Sequence, residues 1–111
     1  MASVGEYPSI LRRIIEAHAA LKPSYGEVEV ETIFDEAKGH YELTYSGWHD
    51  NHRIHGSVVH ADIRGGKVWI QHDGTPAGIA DELLAEGVAP EHIVLAFKHP
   101  RLRAATGLAT G

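Results

Sequence analysis

Acidic and β-branched side chains alternate in the segment Glu27-Val28-Glu29-Val30-Glu31-Thr32. Successive side chains of a strand point to opposite faces, so this period of two predicts a half-buried β-strand with an acidic outward face. The alternation returns in three later segments, 40–45, 53–63 and 67–72. Short links join the segments, the tightest being Arg64-Gly65-Gly66, and they predict an antiparallel sheet of four strands. Gly56 interrupts the third strand, where we expect a bulge or bend.

A helix is predicted before this sheet. Apolar residues recur at steps of three and four between Tyr7 and Leu21. They form one stripe of an α-helix, which we place over about residues 7–20. Pro23 and Gly26 end it, because proline disfavours a helical residue before it and glycine admits a positive φ.

A second helix is predicted after the sheet, from about Pro76 to Glu86. Thr75 is a suitable N-cap for it, and proline fits the first helical position. The apolar run 93–97 predicts a final strand buried on both faces. From Lys98 onward we expect a loop or arm.

The length of 111 residues predicts a single domain, residues 1–111, of the α+β class: an N-terminal helix, a four-stranded antiparallel sheet, a second helix and a final strand. Lysine and arginine number 10 and aspartate and glutamate 15, so the net charge is −5 with histidine neutral. That sign is wrong for a polyphosphate, and we expect no appreciable nucleic-acid binding by the chain alone.

The absence of cysteine excludes disulfides, thiolate zinc sites and a cysteine nucleophile. No apolar run approaches the roughly 20 residues of a membrane span, and the first residues do not resemble a signal peptide. We therefore expect a cytoplasmic protein that does not engage a membrane.

Histidine is abundant, with nine residues in the chain. One hypothesis is a small metal- or His/Asp-dependent enzyme that uses His60, Asp62 and His72. Against it, the histidines alternate between strand faces, and carboxylates on antiparallel sheets more often face water. We therefore expect no catalytic residue, no metal ligand and no cofactor.

Two features favour an interaction surface. Trp69 lies between Lys67 and Gln71 on the strand face opposite Val68 and Ile70, and an aromatic residue with polar neighbours is typical of an interface. The last residues hold the one local cluster of cations, for which direct DNA binding is an alternative hypothesis. The predicted partner interface comprises Lys67, Trp69, Gln71, Lys98, Arg101 and Arg103.

Several short segments also resemble one known family in order and spacing. They are Phe34-Asp35, His40-Tyr41, Gly47-Trp48, Arg53, His60, Asp62-Ile63, Gly66-Lys67-Val68-Trp69-Ile70-Gln71, Asp73-Gly74-Thr75 and Ile93-Val94-Leu95. On these residues the chain resembles the XisI family of fdxN element excision controlling factors, over nearly its whole length.

The resemblance implies a small α+β protein that controls excision of a DNA element by a site-specific recombinase. It also implies a companion controlling factor, XisH, and assigns no catalytic residues. We therefore expect a non-enzymatic accessory protein that associates with an XisH-like companion or with a second copy of itself.

Overall fold

The computed structural model describes residues 1–111 and is built around one five-stranded sheet. The strands are β1 (Glu27–Asp35), β2 (His40–His49), β3 (His52–Arg64), β4 (Lys67–Asp73) and β5 (Ile93–Leu95), and they neighbour one another in that order. β1 to β4 form the predicted antiparallel sheet. β5 pairs with β4 in parallel, so the sheet is mixed. A parallel return requires a crossover, which residues 74–92 provide.

The first helix, α1 (Tyr7–Ala19), confirms the prediction to within one residue. It turns a stripe of buried apolar side chains toward the sheet. That stripe is Tyr7, Ile10, Leu11, Ile14 and Ile15.

The second helix, α2 (Ile79–Ala85), starts later than predicted, and its N-cap position is Gly78 with φ +83° rather than Thr75. The reason lies in Asp73, whose Oδ2 accepts a hydrogen bond of 2.6 Å from the backbone N–H of Ile79. The other oxygen, Oδ1, accepts from the N–H and the hydroxyl of Thr75. Residues 74–78 therefore form a loop held by one carboxylate, and Pro76 lies outside the helix.

The tail is also more ordered than predicted. After β5 the chain forms a short helix, α3 (Pro100–Arg103), and a 3₁₀ turn, Ala104–Thr106. Ala109 then pairs with Val94 in an isolated parallel bridge, so the C-terminal residues cover the outer edge of β5. Covering an edge strand in this way prevents unwanted pairing with other chains.

Two bulges interrupt the antiparallel ladders. Between β2 and β3 the register runs from Leu43↔Val59 to Thr44↔Ser57, which leaves Val58 as the extra residue. The expected bulge therefore lies two residues beyond Gly56. Between β3 and β4 the extra residue is Gln71. Each bulge reverses the alternation of side chains along its strand.

α1 and α2 pack on the same face of the sheet and form one core with it. The strand residues of this core are Tyr41, Leu43, Val59, Ala61, Val68, Ile70 and Ile93. Five strands at about 4.8 Å spacing span roughly 20 Å, which two helices of about 10 Å diameter can cover. The other sheet face is not covered by a helix and carries mostly polar and charged residues, together with the exposed Ile33 and Trp48.

Candidate functional site

Asp62 lies on the open face near the end of β3, the middle strand of the sheet. It is the one buried charged residue of the chain, with 9% of its surface exposed. Its Oδ1 lies 2.7 Å from Nδ1 of His40 and 3.0 Å from Nε2 of His60. Its Oδ2 accepts a hydrogen bond of 3.2 Å from the amide of Gln71. The carboxylate is thus held from three directions, and we call these four residues the Asp62 cluster.

The backbone explains how the cluster forms. His40 lies directly opposite Asp62 in the β2–β3 register, and His60 precedes Asp62 by two residues on the same face. The β4 bulge at Gln71 adds the amide. Burial alone would raise the pKa of Asp62, but hydrogen bonds and charge from His40 and His60 hold that pKa below its ordinary value.

The structure therefore alters the histidine hypothesis. His72, which the sequence placed with His60 and Asp62, lies opposite His60 in the register but is exposed and makes no hydrogen bond to the cluster. His40 takes that place instead, and the sequence analysis missed it. The expectation that the histidines diverge is wrong for His40 and His60, because both rings converge on one carboxylate oxygen.

Beside the cluster lies Trp69, half-buried on β4. Its ring stacks under the guanidinium of Arg64, 4.4 Å from the ring centre, and its Nε1 donates to the Arg64 carbonyl at 3.2 Å. The Arg103 guanidinium lies 6.0 Å from the same ring. The Trp69 ring is therefore within reach of two cations, and Trp69 lies opposite Asp62 in the β3–β4 register.

Arg103 is engaged within the chain. Its three nitrogens donate to the carbonyls of Lys98 (3.1 Å), Ala96 (3.2 Å) and Thr110 (3.3 Å). The guanidinium thus closes the loop between β5 and the C-terminus. Lys67 likewise donates to the carbonyl of Gly111.

Of the predicted interface residues, Lys67, Trp69 and Gln71 lie along β4 on the open face, and the Arg103 guanidinium reaches the Trp69 ring. Lys98 and Arg101 are exposed on the C-terminal loop and form no ion pair. A second tryptophan, Trp48, was not among the predicted interface residues; it is 53% exposed and stacks with Arg53.

The match to known proteins covers almost the entire chain. The model of the XisI protein family matches residues 1–110. The chain belongs to the XisI family. Among curated proteins, none matches the chain with significance.

Solved XisI structures share the fold described above. A XisI-like protein from Anabaena variabilis is 32% identical, with a TM-score of 0.90, over 97% of this chain and 99% of that one. The fdxN element excision controlling factor XisI from the same organism is 30% identical, with a TM-score of 0.84, over 97% and 98% of the two chains. None of the helices in this XisI-family chain has both the length and the apolar character needed to cross a membrane.

Proposed function

We propose that this chain is a non-enzymatic accessory protein in site-specific excision of a DNA element, and that it acts by binding an XisH-like companion factor. Membership of the XisI family over residues 1–110 supports this role, together with the relative named as an excision controlling factor. The observation that carries the proposal is the sheet face left free by both longer helices.

The partner binds, in this proposal, along β4 on the open face. Trp69 supplies the aromatic anchor, and Lys67 and Gln71 supply a polar rim. Lys98 and Arg101 extend the surface as free cations on the C-terminal loop. Arg103 contributes by holding that loop in place, because its donors are already used inside the chain.

The test is co-purification of the untagged chain with a tagged XisH-like protein. Trp69→Ala should weaken the complex at least tenfold, as truncation of a central aromatic anchor does. Trp48→Ala is the matched control, because Trp48 is also on the open face but belongs to β2, and it should leave the complex intact. Equal binding by both variants, or no complex with the wild-type chain at micromolar concentration, would overturn the proposal.

Because Trp69 is half-buried, its loss also affects folding, and a second variant is needed. Lys67→Glu reverses the charge of a rim residue without removing core area and should also weaken the complex. Urea unfolding of each variant separates lost binding from lost structure.

Direct DNA binding by the chain alone is not part of this proposal. The net charge is −5, and β1 adds an exposed row of Glu27, Glu29 and Glu31. Fluorescence anisotropy at physiological salt should show no binding tighter than about 10 μM, which is weaker than specific DNA-binding proteins achieve. Sub-micromolar binding abolished by Arg101→Ala would favour the DNA-binding alternative instead.

A further inference from the structure

The carboxylate of Asp62 has no cationic partner of fixed charge. It is nearly buried, yet no lysine or arginine lies within ion-pair distance of it. Buried carboxylates are normally paired with a cation or bound to a metal ion. Here the groups that reach it are two imidazoles and one neutral amide. One further carboxylate, that of Glu42, borders the cluster, because Glu42 lies opposite His60 in the β2–β3 register.

The donor atoms are also arranged as metal ligands are. Nδ1 of His40, Nε2 of His60 and Oδ1 of Asp62 all lie within 4.8 Å of one another. Ligand atoms of a tetrahedral zinc ion, with bonds of about 2.0–2.1 Å, lie about 3.3 Å apart. The two nitrogens now lie 2.7 and 3.0 Å from Oδ1 of Asp62, so binding an ion would move each away by roughly 0.3–0.6 Å. The two strands that carry these residues are neighbours in the sheet, so their backbones are fixed in advance.

We propose that His40, His60 and Asp62 bind a divalent transition-metal ion, and that zinc is the ion this donor set fits. Two imidazoles and one carboxylate match zinc and its neighbours in the transition series, whereas magnesium and calcium prefer oxygen ligands throughout. Gln71 is the outer partner that orients the carboxylate through its second oxygen. Three protein ligands leave at least one coordination position of the ion open. That position faces solvent, because the side chain of His40 is 52% exposed.

This site is separate from the companion-binding role, although Gln71 belongs to both regions. An ion there would tie β2 to β3 and β4 through side chains as well as through backbone hydrogen bonds. It would also fix the position of Asp62 next to Trp69. The expected consequence is that the metal stabilises the chain without being required for its fold.

The test is isothermal titration of the untagged, chelator-treated chain with zinc chloride at pH 7.5. We expect one ion per chain with a dissociation constant of about 10 μM or tighter, a binding free energy of roughly −7 kcal/mol. His40→Ala should weaken binding at least tenfold, and the exposed position of His40 makes this variant the least disruptive to folding. Asp62→Asn should weaken it similarly, and Gln71→Ala by about tenfold, as outer-shell losses do.

His72→Ala is the matched control. His72 lies opposite His60 in the register but outside the cluster, so its loss should leave the affinity unchanged. Magnesium at millimolar concentration should not compete. If zinc binds the His40→Ala and wild-type chains equally, or binds the wild-type chain no more tightly than 100 μM, the cluster is a hydrogen-bonded network only and the proposal is wrong.

Discussion

Replacing Arg103 by methionine should loosen the C-terminal loop while leaving the rest of the fold intact. Methionine keeps the length and apolar stem of arginine but removes the three donors to the carbonyls of Ala96, Lys98 and Thr110. The bond to Ala96 is partly buried, and the other two are exposed. The substitution therefore removes one protected and two solvent-accessible hydrogen bonds.

The loss of stability can be estimated from the exposure of these three hydrogen bonds. A hydrogen bond contributes a net 0.5–1.5 kcal/mol, roughly, with exposed ones at the lower end. Two exposed bonds and one partly buried bond then amount to about 2 kcal/mol. For a domain of this size about 1 kcal/mol corresponds to roughly 4 °C, so we expect the melting temperature to fall by about 8 °C.

Urea unfolding measures the loss of stability, and amide hydrogen exchange measures the loosening of the C-terminal loop. The exchange readout is the N–H of Ala109, which donates to the Ile93 carbonyl at 2.9 Å and should lose protection in the variant. Arg101→Met is the matched control, because Arg101 lies in the same short helix with an exposed side chain. The reasoning is refuted if Arg103→Met and Arg101→Met have the same stability and the Ala109 amide stays protected in both.

Three further substitutions test the fold elsewhere. Tyr41→Phe should make the free energy of unfolding less sensitive to high pH. Burial raises the pKa of Tyr41 above its ordinary value, so above about pH 10 the unfolded wild-type chain releases a proton that the folded chain keeps. Wild-type stability should therefore fall with pH more steeply than that of the variant in urea titrations, and parallel pH profiles would contradict this. Gly47→Ala should cost about 1–3 kcal/mol, because a Cβ there would lie 2.0 Å from the Glu27 carbonyl oxygen and push β1 from β2; unchanged exchange of the β1 amides would show otherwise. Asp73→Ala should cost about 1–2 kcal/mol by freeing the N-terminus of α2, with Asp73→Asn retaining part of the stability, and equal loss in both variants would exclude the capping argument.

The antiparallel part of the fold was predictable because its signal is local. Each strand from β1 to β4 carries its own alternation, and the hairpins need no information from distant residues. The start of α2 was not predictable in the same way. Thr75 and Pro76 form a good local helix start, but the carboxylate of Asp73 captures Thr75 and the Ile79 amide instead. Side-chain competition for backbone donors therefore moved the boundary.

The candidate site depended on pairings that the sequence does not display. His40 and Asp62 are 22 residues apart, and only the β2–β3 register brings them together. Trp69 was found because it stands out on a polar strand face. The hydrogen bonds of Arg103 were not predicted, because their acceptors are three backbone carbonyls and every residue has a carbonyl whatever its side chain.

The two bulges determine which residues reach the open face. Along β3, strict alternation from His60 would place Gly56 on the open face and would direct His55 and Ser57 to the helix side of the sheet. The extra residue Val58 reverses this, so His55 and Ser57 join His60 on the open face. On β4, strict alternation would direct the His72 side chain to the helix side of the sheet with Val68 and Ile70, where the imidazole would be buried. The extra residue Gln71 instead leaves His72 exposed to solvent on the open face, and the Gln71 amide donates a hydrogen bond to Asp62. Each inserted residue thus keeps polar groups out of the core and places them on the face that the helices leave free.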